Sequence, residues 1–259
     1  LRSGTTKSSR GAKKQDELRK TREGILIVQF TLQEKEKTIP LQFEYTRMVN
    51  AGYVGRNQEE VQKHVQELAA KGIPAPASTP TLYPVLCRTL MKDASIEAYG
   101  TETSGEVEYV LLIENEQNIY VALGSDHTDR HLEEVDIPRS KQICPNLITS
   151  TVWTLDEVQE HWDELVLKSQ VVKDGHTIEY QEGKLELILS PVQLMDFVRS
   201  KIPGPLDKTI IYSGTVGMKT DGFVFGQRFQ AQLTDPRLGR SLELAYDIEP
   251  LAYMELEGE

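Results

Sequence analysis

Apolar residues alternate with polar ones, or crowd into short runs, over most of this chain. A period of two marks strands, and a period near 3.6 marks helices. Residues 25–32 and 41–48 read as two strands joined by a charged turn at 33–37. After the glycine-punctuated loop 51–57, Val61, Val65, Leu68 and Ala69 keep helical spacing, which predicts an amphipathic helix over 58–71 stopped by Gly72. Segment 73–84 holds four prolines, which excludes regular structure throughout and reads as the wall or lid of a binding site. Strands follow at 95–99, 107–114 and 119–123, the last two linked by a hairpin turn at 115–118. A loop carrying Ser140, Lys141 and Gln142 comes next, then a helix over 155–168 capped by Thr154 with Glu157 three residues on. Asp174-Gly175 marks another hairpin, Ser190 caps a helix over 191–200, and strands at 209–213, 223–233 and 241–248 complete the pattern. Strands and helices do not alternate, which argues against a doubly wound parallel sheet. An α+β architecture built on a rolled or sandwiched sheet is expected.

One strand carries an electrical problem. Glu106 and Glu108 flank Val107 at the head of the run Tyr109-Val110-Leu111-Leu112-Ile113. Residues two apart on a strand share a face, with Cα atoms roughly 6.5–7 Å apart. Burying two unpaired negative charges there is costly. Either the pair lies on a solvated edge, or something positive stands between them. A hard divalent cation that also takes Asp126, at the end of the next strand, satisfies the second alternative and leaves about half of an octahedral shell open.

Composition narrows the function classes. The 259 residues carry a net charge of −11, but residues 1–24 alone balance at +5 and the remainder at −16. An acidic body argues against nucleic acid as the main partner, and residues 1–24 read as a flexible basic tail. Cys87 and Cys144 form no CxxC pair and no disulfide framework, and no apolar run approaches the length of a membrane span. A cytoplasmic protein without membrane partners is the expectation. Gly214-Thr215-Val216-Gly217 lacks the length and the Lys-Ser or Lys-Thr ending of a phosphate loop, and no Gly-x-Ser-x-Gly elbow exists. His127 and His131 stand at i, i+4 without a His-Glu-x-x-His pattern, so neither is assigned to metal.

Four blocks stand in order along the chain. They are Gly55-Arg56-Asn57 with a downstream His64-Val65-Gln66-Glu67, Glu106-Val107-Glu108, Asp126-His127-Thr128-Asp129-Arg130, and Ser213-Gly214-Thr215. In this order and spacing the chain resembles the fumarylacetoacetate hydrolase superfamily, in particular a single-domain branch carrying a domain-of-unknown-function label. The resemblance runs from about residue 25 to the end, and implies one catalytic domain over 25–259. It implies a mixed β-roll, usually a homodimer, that holds Mg²⁺ or Mn²⁺ through three carboxylates. Family members hydrolyse, decarboxylate, hydrate or tautomerise small β-dicarbonyl or 2-keto acids.

By position, the resemblance makes Glu106, Glu108 and Asp126 the metal ligands. His64 and Glu67 become a base dyad on a lid, and Lys141 balances the carboxylates or holds an enolate oxygen. Arg56, Arg130, Gly214 and Thr215 become substrate-binding groups. On residues alone, each has an ordinary alternative: a solvent-facing histidine, a surface lysine or charge pair, a Gly-Thr turn. The leading expectation is metal-dependent hydrolysis of a C–C bond in a small acylpyruvate-like or 1,3-dicarbonyl acid through a metal-stabilised enolate. Decarboxylation, hydration or tautomerisation of a related 2-keto acid is the alternative, as is a relative that binds without turnover.

Overall fold

Residues 107–113 are buried on both faces, and that double burial organises the molecule. The structure is a computed structural model that describes residues 24–35, 37–70, 76 and 78–253. The expected basic tail therefore lies almost wholly outside the described residues, as do residues 73–75 and 77 of the proline-rich segment.

The chain opens with an antiparallel pair, β1 (Leu26–Glu34) and β2 (Lys37–Tyr45), followed by β3 (Arg47–Gly52). Helix α1 (Gln58–Ala70) leads to β4 (Thr81–Val85). The short strands β5 (Leu90–Met91), β6 (Ser95–Ala98) and β7 (Thr103–Ser104) precede the long pair β8 (Val107–Ile113) and β9 (Ile119–Asp126). Asn115 closes the turn between that pair, its Oδ1 accepting from the N–H groups of Gln117 and Asn118. Next come β10 (Thr128–Asp129), the helices α2 (Arg130–Val135) and α3 (Ile137–Ile143), then β11 (Asn146–Ile148) and β12 (Thr151–Thr154). Helix α4 (Leu155–Val158) runs into a 3-10 stretch (Gln159–Glu164), then the hairpin β13 (Val166–Lys173) and β14 (His176–Lys184). Helix α5 (Pro191–Lys201), capped reciprocally by Ser190 and Gln193, precedes β15 (Thr209–Tyr212), β16 (Arg228–Asp235) and β17 (Arg240–Pro250).

These strands make two main sheets. The larger runs β2-β1-β12-β9-β8-β15-β3-β4, with β11 bridging β9 to β5, and the second runs β14-β13-β16-β17-β6. Parallel pairings at β1–β12, β3–β15, β5–β11 and β6–β17 make both mixed. Along β8 the odd residues Val107, Tyr109 and Leu111 face a core shared with Leu167, Phe229 and Leu244 of the second sheet. The even residues Val110 and Leu112 face another core, with Val28, Phe43, Tyr45, Ala122, Ile210 and Tyr212. Strands from right across the larger sheet meet in that second core, so the sheet curls into a half-barrel. This is the expected α+β roll.

Three local expectations need correction. The 155–168 helix ends at Glu164 in a kinked 3-10 stretch, and 166–168 begin β13 because Leu167, Ser169 and Val171 alternate inward. The 223–233 strand starts only at Arg228. The loop around Lys141 is helix α3, begun by an Asp136 side chain that accepts from Arg139 N–H, with Pro138 in its first turn.

Candidate metal centre

Period-two geometry puts Glu106 and Glu108 on the even face, at the mouth of the half-barrel. Glu106 precedes β8 but extends its ladder: its N–H donates to the Asp126 carbonyl (3.2 Å), and its carbonyl accepts from Asp126 N–H (3.1 Å). Asp126 shares that face with Ala122 and Tyr120. One carboxylate oxygen from each of Glu106, Glu108 and Asp126 lies within 4.8 Å of the other two. Glu108 and Asp126 are 1% exposed.

Two cations meet this cluster from one side. Lys141 Nζ lies 2.9 Å from Asp126, 3.3 Å from Glu133 and 3.5 Å from Glu106. Arg130 donates to Glu106 (3.1 Å), to Glu133 (2.6 Å) and through Nε to the Ser104 hydroxyl (2.7 Å), while its guanidinium stacks 4.2 Å from the Phe223 ring centre. Asp129 starts α2 by accepting from Leu132 N–H, which turns Arg130 and Glu133, three apart, to the same side. Four carboxylates against two side-chain cations leave two negative charges, the charge of one divalent ion.

The electrostatics have the same sign. Burial raises the Glu108 carboxyl well above the usual range, and Asp126 and Glu106 add to it. Burial also raises Asp126, with Glu106 adding and Lys141 opposing. Burial works against Glu106 as well, yet Lys141 and Arg130 outweigh it and hold that carboxyl down at about 2. Despite its own burial, Lys141 is held well above its usual range by Asp126, Glu106 and Glu133. Asp126 Oδ1 is buried without a hydrogen-bond partner. A buried carboxylate oxygen left open beside two further carboxylates suits a hard, oxygen-seeking cation such as Mg²⁺ or Mn²⁺.

The remaining predicted residues are placed as follows. Gly214, at φ +82°, donates its N–H to Glu108 (2.9 Å); a side chain there would meet Val54 at 2.6 Å. The Thr215 hydroxyl donates to the Val107 carbonyl and accepts from Gln181 Nε2, both at 2.7 Å. Its one proton thus goes to the backbone, and the adjoining Gly214 N–H holds Glu108. Arg56 is not brought to the carboxylates: it forms a two-pronged pair with Asp163 (2.7 and 2.8 Å) and donates to the Leu185 and Ile188 carbonyls. His64 and Glu67 fall on α1, and their side chains lie outside the described residues.

Sequence reasoning missed Glu133 and Tyr53. Asp129 as a helix cap, with Glu133 one turn beyond, was the available signal for the first. Tyr53 has a left-handed backbone (φ 56°), and its phenol is raised by burial, then by Tyr83 and Glu133, with Lys141 and Glu106 also facing it.

Comparison with known proteins places this geometry. The model of a family described as "Protein of unknown function (DUF2848)" matches residues 51–246. The chain belongs to this family. No curated protein matches the sequence. Among solved structures, the apo form of 2-keto-3-deoxy-D-arabinonate dehydratase superposes with a TM-score of 0.59 at 13% identity, over 90% of this chain and 94% of that one. The same enzyme complexed with magnesium and 2,5-dioxopentanoate gives 0.56 at 16% identity, over 79% and 73%. A yeast fumarylacetoacetate hydrolase family protein gives 0.55 at 16% identity, over 80% and 94%. This member of the DUF2848 family therefore has the fumarylacetoacetate hydrolase fold, and Glu106, Glu108 and Asp126 are the residues in it that could hold a divalent metal. Among the described residues, no helix is long and apolar enough to cross a membrane.

Proposed function

We propose that this protein is a divalent-metal-dependent hydrolase that cleaves a C–C bond in a small acylpyruvate-like or 1,3-dicarbonyl acid. The observation that carries the reading is the convergence of three carboxylate oxygens within 4.8 Å, closed on one side by Lys141 and Arg130 and left open at Asp126 Oδ1. Mg²⁺ or Mn²⁺ held there supplies Lewis acidity toward a chelating 2-keto acid.

The chain's own groups do the rest. Glu106, Glu108 and Asp126 form the anchor, kept in register by Gly214 N–H and by Arg130. Lys141 stays protonated and presents fixed positive charge where an oxygen turns anionic, an arrangement that costs no reorganisation during reaction. His64 and Glu67, by family position, supply the base that takes a proton from water. The hydroxyl adds to the acyl carbon, the C–C bond breaks, its electron pair stays with the keto-acid fragment as an enolate, and the proton returns to that carbon.

Dehydration, decarboxylation or tautomerisation of a 2-keto acid is the second reading, favoured by the fold shared with a 2-keto-3-deoxy-D-arabinonate dehydratase. Steady-state assays of acetylpyruvate, fumarylpyruvate and oxaloacetate with Mg²⁺ and with Mn²⁺ separate the two. Turnover of an acylpyruvate, lost in Glu106→Ala, is the expected result. No turnover of any substrate, or a fully active Glu106→Ala, overturns the catalytic reading and leaves a relative that binds without turnover. The family likeness also supports a homodimer, which light scattering tests: a monomer mass overturns it.

A further inference from the structure

Beside the carboxylates lies a feature that the proposed chemistry does not use. A cleft of about 770 Å³ opens between the β3–β4 pair, helices α2 and α3, and the end of α5. That volume lies within the range of small-molecule sites, roughly 300–1,000 Å³. Val49, Leu82, Pro84, Val135, Ile137 and Ile202 give it apolar walls. Val135 is 77% exposed on its lip, a large apolar surface that no described residue covers.

The cleft and the carboxylate cluster share one wall residue. Glu133 lines the cleft while bonding Arg130 and Lys141 with the same carboxylate. Tyr83 also lines it. A molecule anchored on the carboxylates by its keto-acid end would have to pass Glu133 to reach these apolar surroundings. The charged groups of the wall argue against a second anionic end. Among the described residues, Glu133, Glu134 and Asp136 line it against the single cation Lys201. A distal carboxylate would meet more negative charge than positive.

We propose that this cleft is the subsite for an uncharged, apolar tail, so that the preferred substrate is a keto acid with an alkyl or aryl acyl group of several carbons. The inference rests on reading the centre as a keto-acid site. Each methylene moved from water into the cleft is worth about a fourfold gain in kcat/KM or in affinity.

The test compares acetylpyruvate, hexanoylpyruvate and fumarylpyruvate as substrates of the Mn²⁺-loaded protein. Calorimetry of pyruvate and 2-oxooctanoate binding runs alongside, on the parent and on Ile137→Trp and Val135→Asp. Val135 is exposed, so its replacement tests the cleft without burdening the core. Hexanoylpyruvate is expected to exceed both other substrates by about tenfold or more in kcat/KM, and 2-oxooctanoate to bind at least about tenfold tighter than pyruvate. Both preferences should collapse in the two variants. Turnover without length preference, a preference for fumarylpyruvate, or variants that keep the parental preference overturn the subsite while leaving the hydrolase reading intact. Absence of turnover with length-dependent binding that Val135→Asp removes overturns the hydrolase reading and upholds the subsite.

Discussion

Two clusters of carboxylates and lysines in this molecule look alike on paper and differ in every respect that matters. On the outer face of the second sheet, Lys168, Lys219, Glu179 and Glu182 form pairs of 2.6, 2.6 and 2.8 Å. At the mouth of the half-barrel, Lys141 makes longer contacts, 2.9 to 3.5 Å, with three carboxylates. The shorter contacts are the weaker ones. The outer pairs are a third to two-thirds exposed, charge-balanced and open to screening by salt. The inner paired groups are 2–21% exposed, and carboxylates outnumber cations there. Contact length therefore does not identify a site. Excess charge withdrawn from water does, because a bound cation or a proton must relieve it.

The sharpest way to break the comparison is to change the inner charge. Asp126→Asn and Glu108→Gln should each abolish Mn²⁺ binding by calorimetry and lower kcat/KM by about 10³-fold, roughly 4 kcal/mol of transition-state stabilisation. Unchanged Mn²⁺ affinity in both would detach the carboxylates from metal binding altogether. Lys141→Met comes next. Removing one partner of a buried ion cluster strands the others, at a cost of about 3–5 kcal/mol. Urea unfolding of the metal-free protein reads this directly, and a cost below 1 kcal/mol would show water already reaching the cluster. Mn²⁺ itself should stabilise the parent by about 2.7 kcal/mol at a hundredfold excess over Kd, a rise in Tm of roughly 5–10 °C for a domain of this size. Asp126→Asn should show no such rise.

How much of this was legible beforehand follows from what each residue depends on. Glu106 and Glu108 were legible because strand alternation is a local rule, and an apolar run carrying Glu-x-Glu breaks it visibly. Asp126 followed from lying at the end of the adjoining strand. Lys141 came only from the family resemblance: α3 is seven residues long with Pro138 in its first turn, too short for a periodic signal. The 155–168 stretch misled for the opposite reason. Leu155, Val158, Trp162 and Leu165 keep helical spacing, yet the chain passes through a 3-10 stretch and enters β13, whose inward residues pack against the first sheet. Thr215 shows a different limit. A hydroxyl's partner is a tertiary fact, and no spacing announces that its proton goes to Val107.

The outer cluster supplies the smallest effect and the control for all the others. Hydrogen bonds from Lys168 and Lys219 lower the Glu182 carboxyl from 4.5 to about 2. A depressed acid contributes stability that is present above its unfolded value and is lost as pH falls through its folded one. The difference between parent and Glu182→Gln should therefore exist near neutral pH and shrink between 4.5 and about 2. These side chains are open to solvent, so the difference should be small even where it is largest, and should vanish in about 1 M NaCl, where the screening length falls to ~3 Å. Urea unfolding at two pH values and two salt concentrations measures it. A difference that persisted at high salt would mean that the outer pairs are stabilised by something other than exposed charge. The contrast between the two clusters would then rest on charge balance alone, with burial no longer needed to explain it.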